Sequence, residues 1–191
     1  MLTRNGPLKG VRVIEMAGIG PAPFAAMHLA DMGAEVVRIT RPGQAFPLPI
    51  DEKNNLFNRS RRSLVLDLRQ ANDAEKLWGL IERAEILIEG FRPGKMEKLG
   101  FAPEAVLARN PALVYGRMTG WGQTGPLAQA AGHDLNYAAI TGAVHGLGEA
   151  DRPPPAPMNL IADQGGGAMM LNVGILAALT HARATGEGQV V

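Results

Sequence analysis

The stretch VRVIEMAGIGPAPFAAMHLADMGAEVVRI, residues 11–39, decides the fold. Val11 to Glu15 is a short run rich in β-branched residues, bounded by Gly10 and Gly18, which predicts a first strand. Gly18, Gly20 and Pro21 then turn the chain into a helix from about Ala22 to Met32, with proline near the first turn, where helices tolerate it. A second strand, Ala34 to Ile39, follows at once. Strand, glycine loop, helix and strand in that order open a parallel sheet. The expected fold is therefore α/β, a Rossmann-like doubly wound parallel sheet. The dinucleotide fingerprint G-x-G-x-x-G fails, because Pro23 stands where its last glycine belongs. That weakens a nicotinamide or flavin reading.

Outward from this unit the pattern repeats. Strands are expected at 63–68, 85–89 and 114–118, with helices at 72–83, around 103–109 and at 135–144. The segment Arg152–Pro157 is a proline-rich spacer, and a long apolar helix is expected over roughly 168–184. Gln189–Val191 reads as a strand just begun, so the sequence is expected to be a fragment of a longer architecture.

Composition narrows the classes. With 191 residues and 46% hydrophobic content, the chain can bury a real core. A net charge of +1 argues against a dedicated nucleic-acid surface. Without cysteine there is no disulfide and no thiol nucleophile, and no metal site is expected. The N-terminus lacks the apolar core of a signal peptide, and the window Ala168–Thr180, interrupted by Asn172, is short for a bilayer. No membrane partner and a cytoplasmic location are expected.

Four places attract chemistry. After the strand at 114–118 come Gly120, Gly122 and Gly125 around Trp121, then His133 beside Asp134. Glycines there fit a turn as well as a ligand loop, and Asp134 fits a helix cap. Arg41 and Arg92 also fall at strand ends, which suits an anionic ligand. Arg59, Arg61 and Arg62 fit either a solvated face or a phosphate site. Asp163 precedes Gly165, Gly166 and Gly167 at a helix start, either as a cap or beside amides that could face a developing oxyanion.

Together, the motifs from Gly6 to Glu15, Asp31 to Ile39, Glu89 to Gly94, Met118 to Pro126, Gly132 to Tyr137 and Asp163 to Gly167 resemble the family III CoA-transferase superfamily, and within it the α-methylacyl-CoA racemases. The resemblance implies a Rossmann-like large domain, a small second domain missing from this chain, and an interlocked homodimer at full length. It implies that His133 and Asp163 transfer protons. It places CoA contacts at Arg41, at Leu66, Asp67, Leu68 and Arg69, at Gly90, Phe91 and Arg92, and at Gly132, Asp134, Leu135, Asn136 and Tyr137. Lys98 stands where relatives carry an arginine for a CoA phosphate; lysine keeps the charge but loses the two-pronged fork.

The implied reaction is epimerisation of a 2-methylacyl-CoA thioester. One base removes the α-proton from one face, and the other group returns a proton from the opposite face, with CoA part of the substrate and no separate cofactor. A transferase would instead use Asp163 as a nucleophile, and such enzymes generally lack a histidine at the position of His133. A CoA-binding module without activity is the third reading.

Overall fold

The computed structural model describes residues 5–44 and 54–191. Its centre is β1 (Arg12–Met16), which pairs in parallel with β2 (Glu35–Thr40) on one side and β4 (Ile86–Glu89) on the other. β3 (Arg62–Val65) lies outside β2, and β5 (Val114–Arg117) outside β4, giving the order β3-β2-β1-β4-β5. The doubly wound parallel sheet expected from residues 11–39 is present.

Register explains why the central strands carry apolar side chains on both faces. Val36, Val13, Ile86 and Val114 form one row across the sheet, and Val37, Ile14, Leu87 and Tyr115 form the next, facing the other way. A parallel sheet covered on both faces needs apolar side chains in both rows. The first row meets α1 (Pro21–Asp31) and α7 (Met169–Thr185) through Ala22, Ala25, Leu29, Leu171, Ile175 and Leu179. The second meets α2 (Ala71–Ile81), α3 (Lys95–Lys98) and α4 (Pro103–Arg109) through Leu77, Ile81, Met96 and Val106. Burying each such side chain contributes about 1.5–3 kcal/mol.

Several expectations change. The helix read over 135–144 is two, α5 (Asp134–Ile140) and α6 (Ala143–Gly146), because Gly142 turns the chain with φ +80° between them. The strand expected at 63–68 ends at Val65, and Leu66 begins a loop that stays tied to the sheet by its N–H to the Thr40 carbonyl, 2.8 Å. The C-terminal strand is a single bridge, Val190 beside Tyr115. α7 is preceded by a π-helix, Leu160–Ala168, where a plain helix start was expected, with Asp163 as its cap or beside ligand-facing amides. Joined, they make a 26-residue helical run that contains an 18-residue window of mean hydropathy 1.2, long and apolar enough to cross a bilayer by length and composition. Its inner side nevertheless packs on the sheet, and Asn172 donates to the Ala25 carbonyl at 3.2 Å.

The arginine run is structural. Arg59 donates to Asp31 at 3.1 Å, and Arg61 donates to Glu15, which is fully buried in β1. Arg38 of β2 lies 3.8 Å from the same carboxylate. Burial pushes the Glu15 carboxyl up, and the Arg61 guanidinium opposes it. Arg61 also reaches the Pro23 carbonyl at 3.3 Å, so this group ties the entry to β3 onto the start of α1.

Replacing Glu15 by Gln should leave Arg61 buried without its counter-charge and cost about 3–5 kcal/mol, read by urea denaturation. Adding Arg61→Met should recover part of that loss. A single variant as stable as the parent would remove the pair from the account of the fold.

Candidate active site

In this strand order the sheet changes direction between β1 and β4, and ligands bind at the carboxyl ends of strands beside such a switch. The loops after β1, β4 and β5, with the start of α5 and the π-helix, enclose a cavity of about 480 Å³ there. Its wall includes Ile19, Gly90 to Pro93, Met118 to Gly120, Gly132, His133, Tyr137 and Asp163. A second cavity, about 520 Å³, opens at the ends of β2 and β3, lined by Arg41, Leu66 to Arg69 and Lys95 among others. Phe91 lines both.

His133 and Asp163 meet in the first cavity: His133 Nδ1 lies 2.9 Å from Asp163 Oδ2. Their surroundings differ sharply, since the His133 side chain is 52% exposed and that of Asp163 only 3%. His133 caps α5 with extended backbone, and its N–H donates to Asn136 Oδ1 at 3.0 Å. Asp163 is held by a reciprocal arrangement. The Asp134 N–H donates to Asp163 Oδ1 at 3.0 Å, while Asp134 Oδ2 accepts from the N–H groups of Ala162 and Asp163, each at 2.7 Å.

The three glycines after Asp163 have a backbone reason. A Cβ on Gly165, Gly166 or Gly167 would stand 2.4, 2.4 or 2.6 Å from the carbonyl oxygen of Leu160, Ile161 or Ala162, the residue five positions back. Glycine is what admits the wide π turn, a conformation often found at functional sites. The expectation that amides at this helix start face a developing oxyanion is not met at Ala162, Asp163 and Gln164. The first two donate to Asp134, and the third donates to the Asn159 carbonyl at 3.1 Å.

Other expected ligand contacts divide. Gly90, Phe91, Arg92, Gly132 and Tyr137 line the first cavity, and Arg41, Leu66, Asp67, Leu68 and Arg69 the second. Arg69 donates to Asp67 at 2.8 Å, and that hydrogen bond holds the exposed Asp67 carboxyl below its ordinary range. Leu135 and Asn136 are exposed and line neither cavity, and Asn136 is occupied by His133. Asp134 is 2% exposed, its carboxylate is turned to the π-helix, and it lines neither cavity. Lys98 is exposed and lines neither cavity; Lys95, one turn earlier, faces the second.

Two glycines near the pair have roles that the sequence did not reveal. Gly20, with φ +73°, passes so close that a Cβ would lie 3.0 Å from His133 Cε1 and 3.7 Å from Asp163 Oδ2. Its place in a broken fingerprint, opening α1, was the only signal. Gly120 leaves room for Tyr137, whose hydroxyl donates to the Gly132 carbonyl. Burial, and then the charge of Asp163, push the Tyr137 phenol up, which keeps it a donor. Trp121 stacks edge-on against the Tyr137 ring at 4.9 Å and 77°, closing the loop after β5 over the start of α5.

Residues 8–191 match the model of CoA-transferase family III. The chain belongs to that family. Over 184 residues this family III chain is 45% identical to human alpha-methylacyl-CoA racemase, covering 96% of this chain and 47% of that protein. Succinate–glutarate CoA-transferase of Agrobacterium fabrum is 35% identical over 204 residues, covering 99% of this chain and 51% of that one. The solved structure of a CAIB/BAIF family protein from Brucella suis superposes with a TM-score of 0.85 at 32% identity, covering 98% and 52% of the two chains. The chain spans about half the length of the curated relatives it matches.

In an α-helix, replacing glycine by alanine gains about 1 kcal/mol. Gly166→Ala should do the reverse, costing about 1–3 kcal/mol because the new methyl collides with the Ile161 carbonyl. Thermal melting would show a lowered midpoint; a raised one would mean that the segment is an ordinary α-helix.

Proposed function

We propose that this chain is the CoA-binding large domain of an α-methylacyl-CoA racemase, exchanging the configuration at the α-carbon of a 2-methylacyl-CoA thioester. The observation that carries the proposal is the His133–Asp163 contact at 2.9 Å on the wall of an otherwise largely apolar cavity. Identity of 45% to the human racemase supports the same reading.

The chemistry follows from what the two groups can do. Either His133 or Asp163, whichever lacks a proton, takes the α-proton, and the electron pair left behind delocalises onto the thioester oxygen as an enolate. The other group delivers its proton to the opposite face of that carbon. Each positioned acid–base group typically supplies roughly 10²–10⁴-fold. For an α-carbon to lie between the two groups, their hydrogen bond must open. The exposed His133 ring is the partner free to move, while Asp163 stays fixed by its buried hydrogen bonds. After each turnover the proton sits on the wrong partner, and re-forming the 2.9 Å contact gives it a direct way back.

The rest of the substrate has a place in this scheme. CoA's pantetheine arm passes Phe91, and its phosphates lie in the second cavity near Arg41 and Lys95. No cofactor beyond the substrate's own CoA is required. The remaining length of a full protein would supply the small domain and complete the site in an interlocked homodimer, working in the cytoplasm.

The full-length protein should exchange the α-proton of (R)-2-methylacyl-CoA for deuterium in heavy water and lose configuration, followed by NMR. His133→Ala and Asp163→Ala should each slow this by roughly 10²–10⁴-fold. CoA transfer to a free carboxylic acid that requires Asp163 but not His133 would make the protein a transferase. CoA binding with neither reaction would leave only a binding domain.

Lys95→Met and Arg41→Ala should each weaken CoA binding by roughly 10-fold, the scale of one lost charge-assisted hydrogen bond. Isothermal titration reads the change, and an unaltered affinity would move the phosphates elsewhere.

A further inference from the structure

We infer that Asp134 is a positioning residue that sets the His133–Asp163 geometry by bracing the π-helix against the start of α5. The inference rests on the reading of His133 and Asp163 as the proton-transfer pair. It assigns Asp134 a role different from the ligand contact its motif suggests.

Four observations carry it. The Asp134 side chain is 2% exposed, so it touches no solvent-borne ligand. Its Oδ2 accepts two backbone N–H groups at 2.7 Å, those of Ala162 and of Asp163 itself. Its own N–H returns a bond to Asp163 Oδ1 at 3.0 Å. Finally, Asp134 is the residue directly after His133, so whatever moves one end of this brace moves the imidazole as well.

The brace closes a short ring. From Asp163 Oδ2 it runs through His133, along one peptide to Asp134, and back through two backbone bonds to Asp163. Ala162 and Asp163 lie in the first turn of the π-helix, where N–H groups have no acceptor within the helix, and both donate to this one carboxylate. Asp134 Oδ1 is buried and has no hydrogen-bond partner among the described residues. Only one oxygen is therefore needed, and an uncharged isostere that keeps that oxygen should keep the brace.

Full-length protein carrying Asp134→Ala or Asp134→Asn would be compared with the parent in three measurements: CoA affinity, α-proton exchange kinetics, and the ¹⁵N resonances of the His133 ring. For Asp134→Ala, kcat should fall roughly 100-fold, the scale of a displacement of about 1 Å in a catalytic group. KM and CoA affinity should stay within about 3-fold, a change under 1 kcal/mol, and the His133 ring should lose the shift pattern of a nitrogen bonded to a carboxylate. Asp134→Asn should recover kcat to within about 10-fold of the parent, since a single weakened hydrogen bond is worth about that.

An unchanged kcat and ring spectrum in Asp134→Ala would overturn the inference. So would a loss that falls on KM and CoA affinity, which would make Asp134 a ligand contact, or an Asn variant no better than Ala. If the unmodified protein exchanges no α-proton, the two-base reading fails on its own, and the His133 ring spectrum of the two variants alone decides whether the brace exists.

Discussion

Asp134 and Asp163 each accept a hydrogen bond from the other's backbone, and this reciprocity lets two parts of the chain, 29 positions apart, face one cavity. Neither element could hold that position alone. α5 is a seven-residue helix with most of its surface in water, and the π-helix is an under-wound turn that an ordinary side chain would not allow. A short helix has little stability of its own. Cross-bracing by buried, short hydrogen bonds replaces the packing that a longer helix would contribute.

The sheet beneath was legible because its signal is local. Val11 to Ile39 carries the strand, turn, helix and strand in sequence, and the apolar runs at Ile86–Ile88 and Val114–Tyr115 repeat it. Where the reading departed from the structure, distant partners decided. Arg61 fitted a solvated face or a phosphate site equally well because Glu15, 46 positions away, does not announce itself as its buried counter-ion. The glycines after Asp163 looked like a ligand loop because a π-helix has no simple periodicity to read. Their constraint is a carbonyl five residues back, a distance only coordinates reveal.

The site was partly legible for the same reason. His133 and Asp163 stood out by residue type and motif, and they share one cavity wall. Their direct contact, and the turning inward of Asp134, depend on how α5 and the π-helix meet. The exchange of Lys98 for Lys95 is a matter of helical phase on α3, a single turn the sequence did not mark as helical at all. Gly20 belongs to the same class. It reads as the remnant of a nucleotide fingerprint, yet its missing side chain leaves room for the His133 ring.

Among the described residues, Phe91 is the one side chain common to the two cavities. It follows Glu89, which is buried, accepts the Phe91 N–H at 2.7 Å and is itself held by Arg117 at 3.0 Å, so the ring is anchored to the sheet and not to a wandering loop. A molecule that occupies both chambers would lie against this one ring. Charge at one end and reactivity at the other can then drift independently over evolutionary time. A fold with such a divider can change the cargo it handles without redesigning the handle by which it grips it.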